Sequence, residues 1–160
     1  MARDYSKGIA AAMEEFLKSE EWTYRFDDEE GVFTFGLTLR CQLQRIRYFI
    51  SIATDEYTVY GISPVGARPD DPELMKRACE FITRANYNLR NGNFEIDCED
   101  GEVRYKSYVN CDGIVLSQEI VRDSVWAVAA MFTKYGEGLL KIFFTDAEPE
   151  QIIDACESDC

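Results

Sequence analysis

Residues 74–109 read LMKRACEFITRANYNLRNGNFEIDCEDGEVRYKSYV, and this stretch decides the fold. Leu74, Ala78, Phe81, Ile82, Ala85 and Leu89 recur at steps of three and four, the spacing of one buried helical stripe. Asp70 or Asp71 can cap its start, with Pro72 in the first turn. Asn91 and Gly92 are expected to stop it. The period then changes to two. Phe94, Ile96 and Cys98 alternate, Glu99, Asp100 and Gly101 form a hairpin turn, and Val103, Tyr105, Ser107 and Val109 alternate on the return strand.

Working outward, residues 4–19 read as a first helix, capped by Asp4 or Ser6, with Ile9, Met13, Phe16 and Leu17 on its apolar face. Four strands are expected next. Trp22, Tyr24 and Phe26 alternate in the first, and Gly31 turns the chain after three acidic residues. Phe33, Phe35, Leu37 and Leu39 alternate in the second. The third spans 45–53, with Ile46, Tyr48, Ile50 and Ile52 on one face and Arg45, Arg47, Phe49 and Ser51 on the other. The fourth spans 57–62. Short links make the four a meander. Three of the four prolines fall in the loop 63–72. After the 74–109 stretch, Ser117 caps a last long helix with the stripe Val121, Val125, Val128, Phe132, Tyr135, Leu139 and Ile142. Gly136 and Gly138 would each weaken it by about 1 kcal/mol relative to alanine and suggest a kink. The order is α-β-β-β-β-α-β-β-α: an α+β fold with a mainly antiparallel sheet and helices on one face. A single domain is expected over 1–145, with a short acidic C-terminal extension over 146–160 that can form a helix after Pro149.

Composition narrows the function classes. The chain has 160 residues and a net charge of −13. That balance argues against nucleic acid or an anionic membrane as a general partner, since phosphates need a positive field. There are no histidines, which removes the commonest general base and zinc ligand. The six cysteines form no C-x-x-C pair. The opening residues 1–19 are charged and amphipathic rather than a secretory leader. The cysteines are therefore read as cytoplasmic thiols. No apolar run reaches the ~18 residues of a membrane span.

Residues 86–105 carry a resemblance to a known family. Asn86, Gly92, Phe94, Asp97, Asp100, Gly101, Val103, Arg104 and Tyr105 match its pattern of helix end, G-x-F-x-x-D strand, D-G turn and V-R-Y return strand. The chain thus resembles the YbjN family, described as bacterial sensory transduction regulators, and the element order over about 5–145 agrees. The resemblance implies a fold similar to class I type III secretion chaperones, which are small, acidic, dimeric proteins that bind unfolded segments of others. It implies no catalytic residues, so none is carried over, and no cofactor or metal is expected.

The candidate partner-binding residues are Arg45, Arg47 and Phe49 on the third strand and Arg104, Lys106 and Tyr108 on the sixth, with Arg25 able to join them. If helices cover the other face, these form a basic, aromatic surface on an acidic chain. It would suit an acidic peptide, a phosphate-bearing ligand or the chain's own acidic tail. The competing reading is cross-strand pairing with Glu95, Asp97 and Glu102. Asp27, Asp28, Glu29 and Glu30 lack EF-hand spacing and read as a solvated turn, as do Asp97, Glu99, Asp100 and Glu102. Asn86 and Asn88 read as satisfying helix-end carbonyls and the loop to Gly92. Cys156 and Cys160 are one helical turn apart but read as part of an exposed tail. Gly92 and Gly101 make no phosphate loop, and no G-x-S-x-G elbow is present. The last helix packs on the sheet or forms a dimer seam, with Trp126 available for a self-contact.

The expectation is a non-enzymatic protein-interaction module, a chaperone-like or regulatory adaptor tied to sensory transduction and acting as a cytoplasmic homodimer. The alternative is a sensor that binds a small or phosphate-bearing metabolite on the basic face.

Overall fold

A computed structural model describes residues 3–158. In chain order the elements are α1 (Lys7–Ser19), β1 (Arg25–Asp27), β2 (Val32–Thr38), β3 (Arg45–Ile52), β4 (Glu56–Ile62), α2 (Pro72–Asn86), β5 (Asn93–Ile96), β6 (Val103–Asn110), α3 (Gln118–Phe144) and α4 (Pro149–Ser158). The strands form one antiparallel sheet in the order β1-β2-β3-β4-β6-β5. The expected α+β order and meander are present, with α4 closing the chain. Ser6, Asp71 and Ser117 cap α1, α2 and α3, each accepting from a backbone N–H three residues on.

Alternation gives the sheet two chemically different faces. Phe33, Ile46, Tyr48, Ile50, Ile52, Tyr57, Val59, Phe94, Val103 and Tyr105 point into the core. α3 lies across them with its whole expected stripe buried. Two polar ties fix its position. The Tyr48 hydroxyl donates 2.8 Å to the Val125 carbonyl, and the Tyr57 hydroxyl lies 2.8 Å from Ser124 Oγ. Burial raises both phenol pKa values, that of Tyr57 to about 12. Gly61 supplies the hollow that α3 needs, because a Cβ there would run into Val128 and stand 3.0 Å from the Phe132 ring.

α3 is one continuous helix from Gln118 to Phe144, whereas several other expectations are corrected. Gly136 makes room for Leu43, and Gly138 for Phe81 and Cys156, so these glycines serve close packing. α2 ends at Asn86, before Gly92. Leu89 still packs against the core, though beyond the helix. The Asn86 amide does not cap helix carbonyls. It accepts from Phe94 N (2.7 Å) and donates to Phe94 O (2.9 Å), joining α2 to β5 like a short piece of strand. Asn88 takes a positive φ of 69° in the following turn. Trp22 and Tyr24 precede β1. Glu21 has φ 57°, and Trp22 N donates to Leu17 O, so the helix end claims Trp22 in a Schellman-type turn. The Trp22 ring then packs on Phe16, Phe35 and Trp126.

α4 joins the helical side of the molecule, touching α2 and α3. Ile152 and Ile153 are buried there. Arg77 on α2 donates to the Thr145 carbonyl at 3.0 Å and to the Ala147 carbonyl, which ties the α3–α4 connection to α2.

Candidate functional site on the open sheet face

The face away from the helices carries the candidate residues in regular rows. One row crosses all six strands as Arg25, Thr34, Phe49, Tyr60, Lys106 and Asn93. The next is Gly36, Arg47, Ile62, Arg104 and Glu95. Arg45 lies one step further along β3, opposite Thr38. A third row holds Asp27, Val32, Ser51, Thr58 and Tyr108. The six partner-binding candidates are therefore on one surface, and Arg25 joins them. Phe49 and Tyr108 are 38% and 49% exposed, unusually open for aromatic side chains in the middle of strands.

Electrostatics divides this surface in two. On the β6 side, Glu95 lies 2.8 Å from Arg104 Nε and also binds Lys106. Burial alone would raise the Glu95 pKa. The bonds from Lys106 and Arg104 outweigh it and hold the carboxyl below its ordinary value. Burial works against the charge of Arg104, and the Glu95 bond overcomes it. The Arg104 guanidinium also lies 4.7 Å from the Tyr60 ring centroid, in cation–π contact. Tyr108 donates to Glu56, which lifts its hydroxyl pKa. The cross-strand pairing reading thus describes Arg104 and Lys106, with Glu95 as the partner; neither Asp97 nor Glu102 forms an ion pair with them. Asp97 and Asp100 accept instead from the backbone of their own turn, as Asp27 does from Glu29 and Glu30.

On the β1–β3 side the arginines stay uncompensated. Among the described residues, no carboxylate forms an ion pair with Arg25, Arg45 or Arg47. Arg3 adds to this half by donating to Ser51 Oγ. Arg45 folds back across β2 and lies on Gly36, where any Cβ would strike its guanidinium. Beside it is a pocket of about 630 Å3 whose lining includes Thr34, Gly36, Arg45, Arg47, Ile62, Ser63, Pro64 and Glu102. Gly36, Tyr60, Ile62 and Glu102 were not among the candidates. Gly36 had a legible signal, as the residue of the alternating strand β2 that has no side chain.

Among the described residues the chain's own tail does not use this face, because α4 is held on the helices. Cys156 is not exposed: its Sγ sits against Gly138, and burial raises its thiol pKa. Cys160 lies outside the described residues. Trp126 is 40% exposed, with its ring centroid 5.1 Å from that of Trp22. Among the described residues no group of three or more acidic or thiol side chains is arranged to hold a metal ion. No helix there is long and apolar enough to cross a membrane.

The fold is that of an α+β protein, a six-stranded antiparallel sheet with helices on one face. The chain belongs to the YbjN family, whose model, described as "putative bacterial sensory transduction regulator", matches residues 10–141. Two solved structures share the fold. The crystal structure of YbjN from E. coli, described as a "putative transcription regulator", aligns with TM-score 0.54 at 8% identity, over 81% of this chain and 92% of that one. The crystal structure of the ExsC–ExsE complex aligns with TM-score 0.54 at 13% identity, over 85% of this chain and 96% of that one. No curated protein matches the sequence.

Proposed function

We propose that this chain is a non-enzymatic protein-interaction module: a cytoplasmic, homodimeric adaptor or chaperone-like regulator that engages a protein partner on the open face of its sheet. The observation that carries this reading is the unbroken row from Arg25 through Phe49 and Tyr60 to Asn93. A surface that combines exposed aromatics with unpaired arginines has the composition of an interface core, where aromatic residues and arginine are enriched. Its charge opposes that of the rest of the chain, which orients an acidic partner toward it. The similarity to a chain solved in complex with ExsE supports a protein as the partner. Family membership supports a regulatory setting.

Comparative capture tests the reading. Wild-type protein and a Phe49→Ala/Arg47→Gln variant are immobilised and exposed to the same native lysate, and bound proteins are quantified. The reading expects one polypeptide enriched on wild type and reduced at least about tenfold on the variant, an affinity loss of roughly 1.4 kcal/mol. Equal capture by both would overturn it. Light scattering tests the dimer. The expected mass is twice the 18.4 kDa of the chain, and a strict monomer contradicts that part of the proposal.

A further inference from the structure

We infer that the pocket between β2, β3, the end of β4 and the loop at Ser63 and Pro64 binds a small polyanion, a molecule whose phosphoryl or clustered carboxylate groups are gripped by Arg45 and Arg47. This goes beyond the protein-partner reading and does not depend on it.

Three observations lead there. First, Arg45 and Arg47 project from the same face of one strand, two residues apart, so their bases stand about 7 Å apart by strand geometry. Neither has a carboxylate partner among the described residues, although the chain carries 30 Asp and Glu. Two like charges held side by side repel, and a bridging anion converts that repulsion into paired, charge-assisted hydrogen bonds. Second, the arrangement is built into the backbone. Gly36 leaves the space in which the Arg45 guanidinium lies flat on β2, and Gly36 is paired directly with Arg47. A larger residue there would lift Arg45 away. Third, the space is the right size. At about 630 Å3 it falls in the range of small-molecule pockets, and Ile62 and Pro64 supply the apolar walls such sites use. The neighbouring cations, Arg104 and Lys106, share the carboxylate of Glu95, whereas Arg45 and Arg47, which line the pocket, have no such partner among the described residues. Glu102 also lines the pocket and opposes negative charge beside it, which favours a ligand whose charge is gathered at Arg45 and Arg47.

The test is calorimetric titration of the full chain with pyrophosphate and, separately, with citrate at low ionic strength. Saturable one-to-one binding of at least one probe supports the site. Preference for pyrophosphate identifies a phosphoryl ligand, and preference for citrate a polycarboxylate. The expected losses are about tenfold or more for Arg47→Gln and for Arg45→Gln, and a smaller loss for Gly36→Ala. Glu102→Gln should tighten pyrophosphate binding by a few-fold, since it removes a like charge. The proposal is overturned if neither probe binds, or if Lys106→Gln costs as much as Arg47→Gln, which would mean diffuse attraction to the whole face. It is equally overturned if polyglutamate binds while both small anions are silent, which would make the pocket part of a protein-docking surface. Circular dichroism of each variant separates lost binding from lost folding.

Discussion

The carboxylate of Glu95 accepts a 2.8 Å hydrogen bond from Nε of Arg104, its direct neighbour across the β5–β6 ladder. The same carboxylate binds Lys106. This one acidic residue is the partner of two of the five cationic side chains that β1, β3 and β6 present to the open face, and offsets one of their two charges. What is left unpaired is Arg25, Arg45 and Arg47.

Replacing Glu95 should therefore change both acid stability and surface charge. The folded-state pKa of Glu95 lies below its ordinary value. Its contribution is fully present above the usual glutamate pKa of about 4.3, and is lost as pH falls through the lower, folded value. Glu95→Gln should flatten the acid limb of a Tm-versus-pH curve below about pH 5, with a cost near neutrality of ~1 kcal/mol or less. An unchanged acid limb would show that Glu95 does not control it.

Arg77 latches the end of the chain. Its Nη2 bonds two carbonyls of the α3–α4 connection, while its Nε is buried with no partner among the described residues. Arg77→Met keeps the aliphatic stem and removes both bonds. It should cost about 1–3 kcal/mol, and amide exchange should accelerate at Ile152 and Ile153 before it does in β3. Exchange that accelerates uniformly would place the defect elsewhere.

Gly61 and Gly8 should respond oppositely to alanine. Gly61→Ala forces Val128 and Phe132 away from β4 and should lower stability by about 1–3 kcal/mol. Gly8 lies in α1 with only Ser6 Oγ, at 3.7 Å, near a new Cβ, so Gly8→Ala should raise stability by roughly 0.5–1 kcal/mol. Chemical denaturation of both variants measures the contrast.

Thiol chemistry should separate the cysteines. Cys98 is exposed, whereas Cys79, Cys111 and Cys156 are partly buried and have thiol pKa values raised first by burial. Because the thiolate is the reactive form, iodoacetamide at mildly alkaline pH should label Cys98 before those three. Peptide mapping over time checks the order.

Much of this was legible from local pattern. Period-two stretches predicted the two-faced sheet, and the Val121 to Ile142 stripe predicted which side of α3 is buried. Both follow from backbone periodicity, which each residue reports independently. Less legible was anything set by contacts between elements. Gly136 and Gly138 read only as weak points in the helix, because the sequence does not display Leu43, Phe81 or Cys156 opposite them. Asn91 and Gly92 resembled a helix stop, but α2 ends earlier, where Asn86 meets Phe94. Within the candidate site, alternation correctly placed Arg45, Arg47, Arg104 and Lys106 on one face. Their division into clamped and free pairs depends on register, since a shift of two residues would give Glu95 different partners.

The central claim is that the open sheet face, with Phe49 near its middle, is where a protein partner binds. The most direct measurement places a photo-crosslinking amino acid at position 49 of the full chain, irradiates it in living cells and identifies the adducts. The account predicts one discrete heterologous adduct from position 49, strongly reduced by adding Arg47→Gln, and no such adduct from Phe144, an exposed residue at the end of α3. An adduct from position 144 with none from position 49 would contradict it.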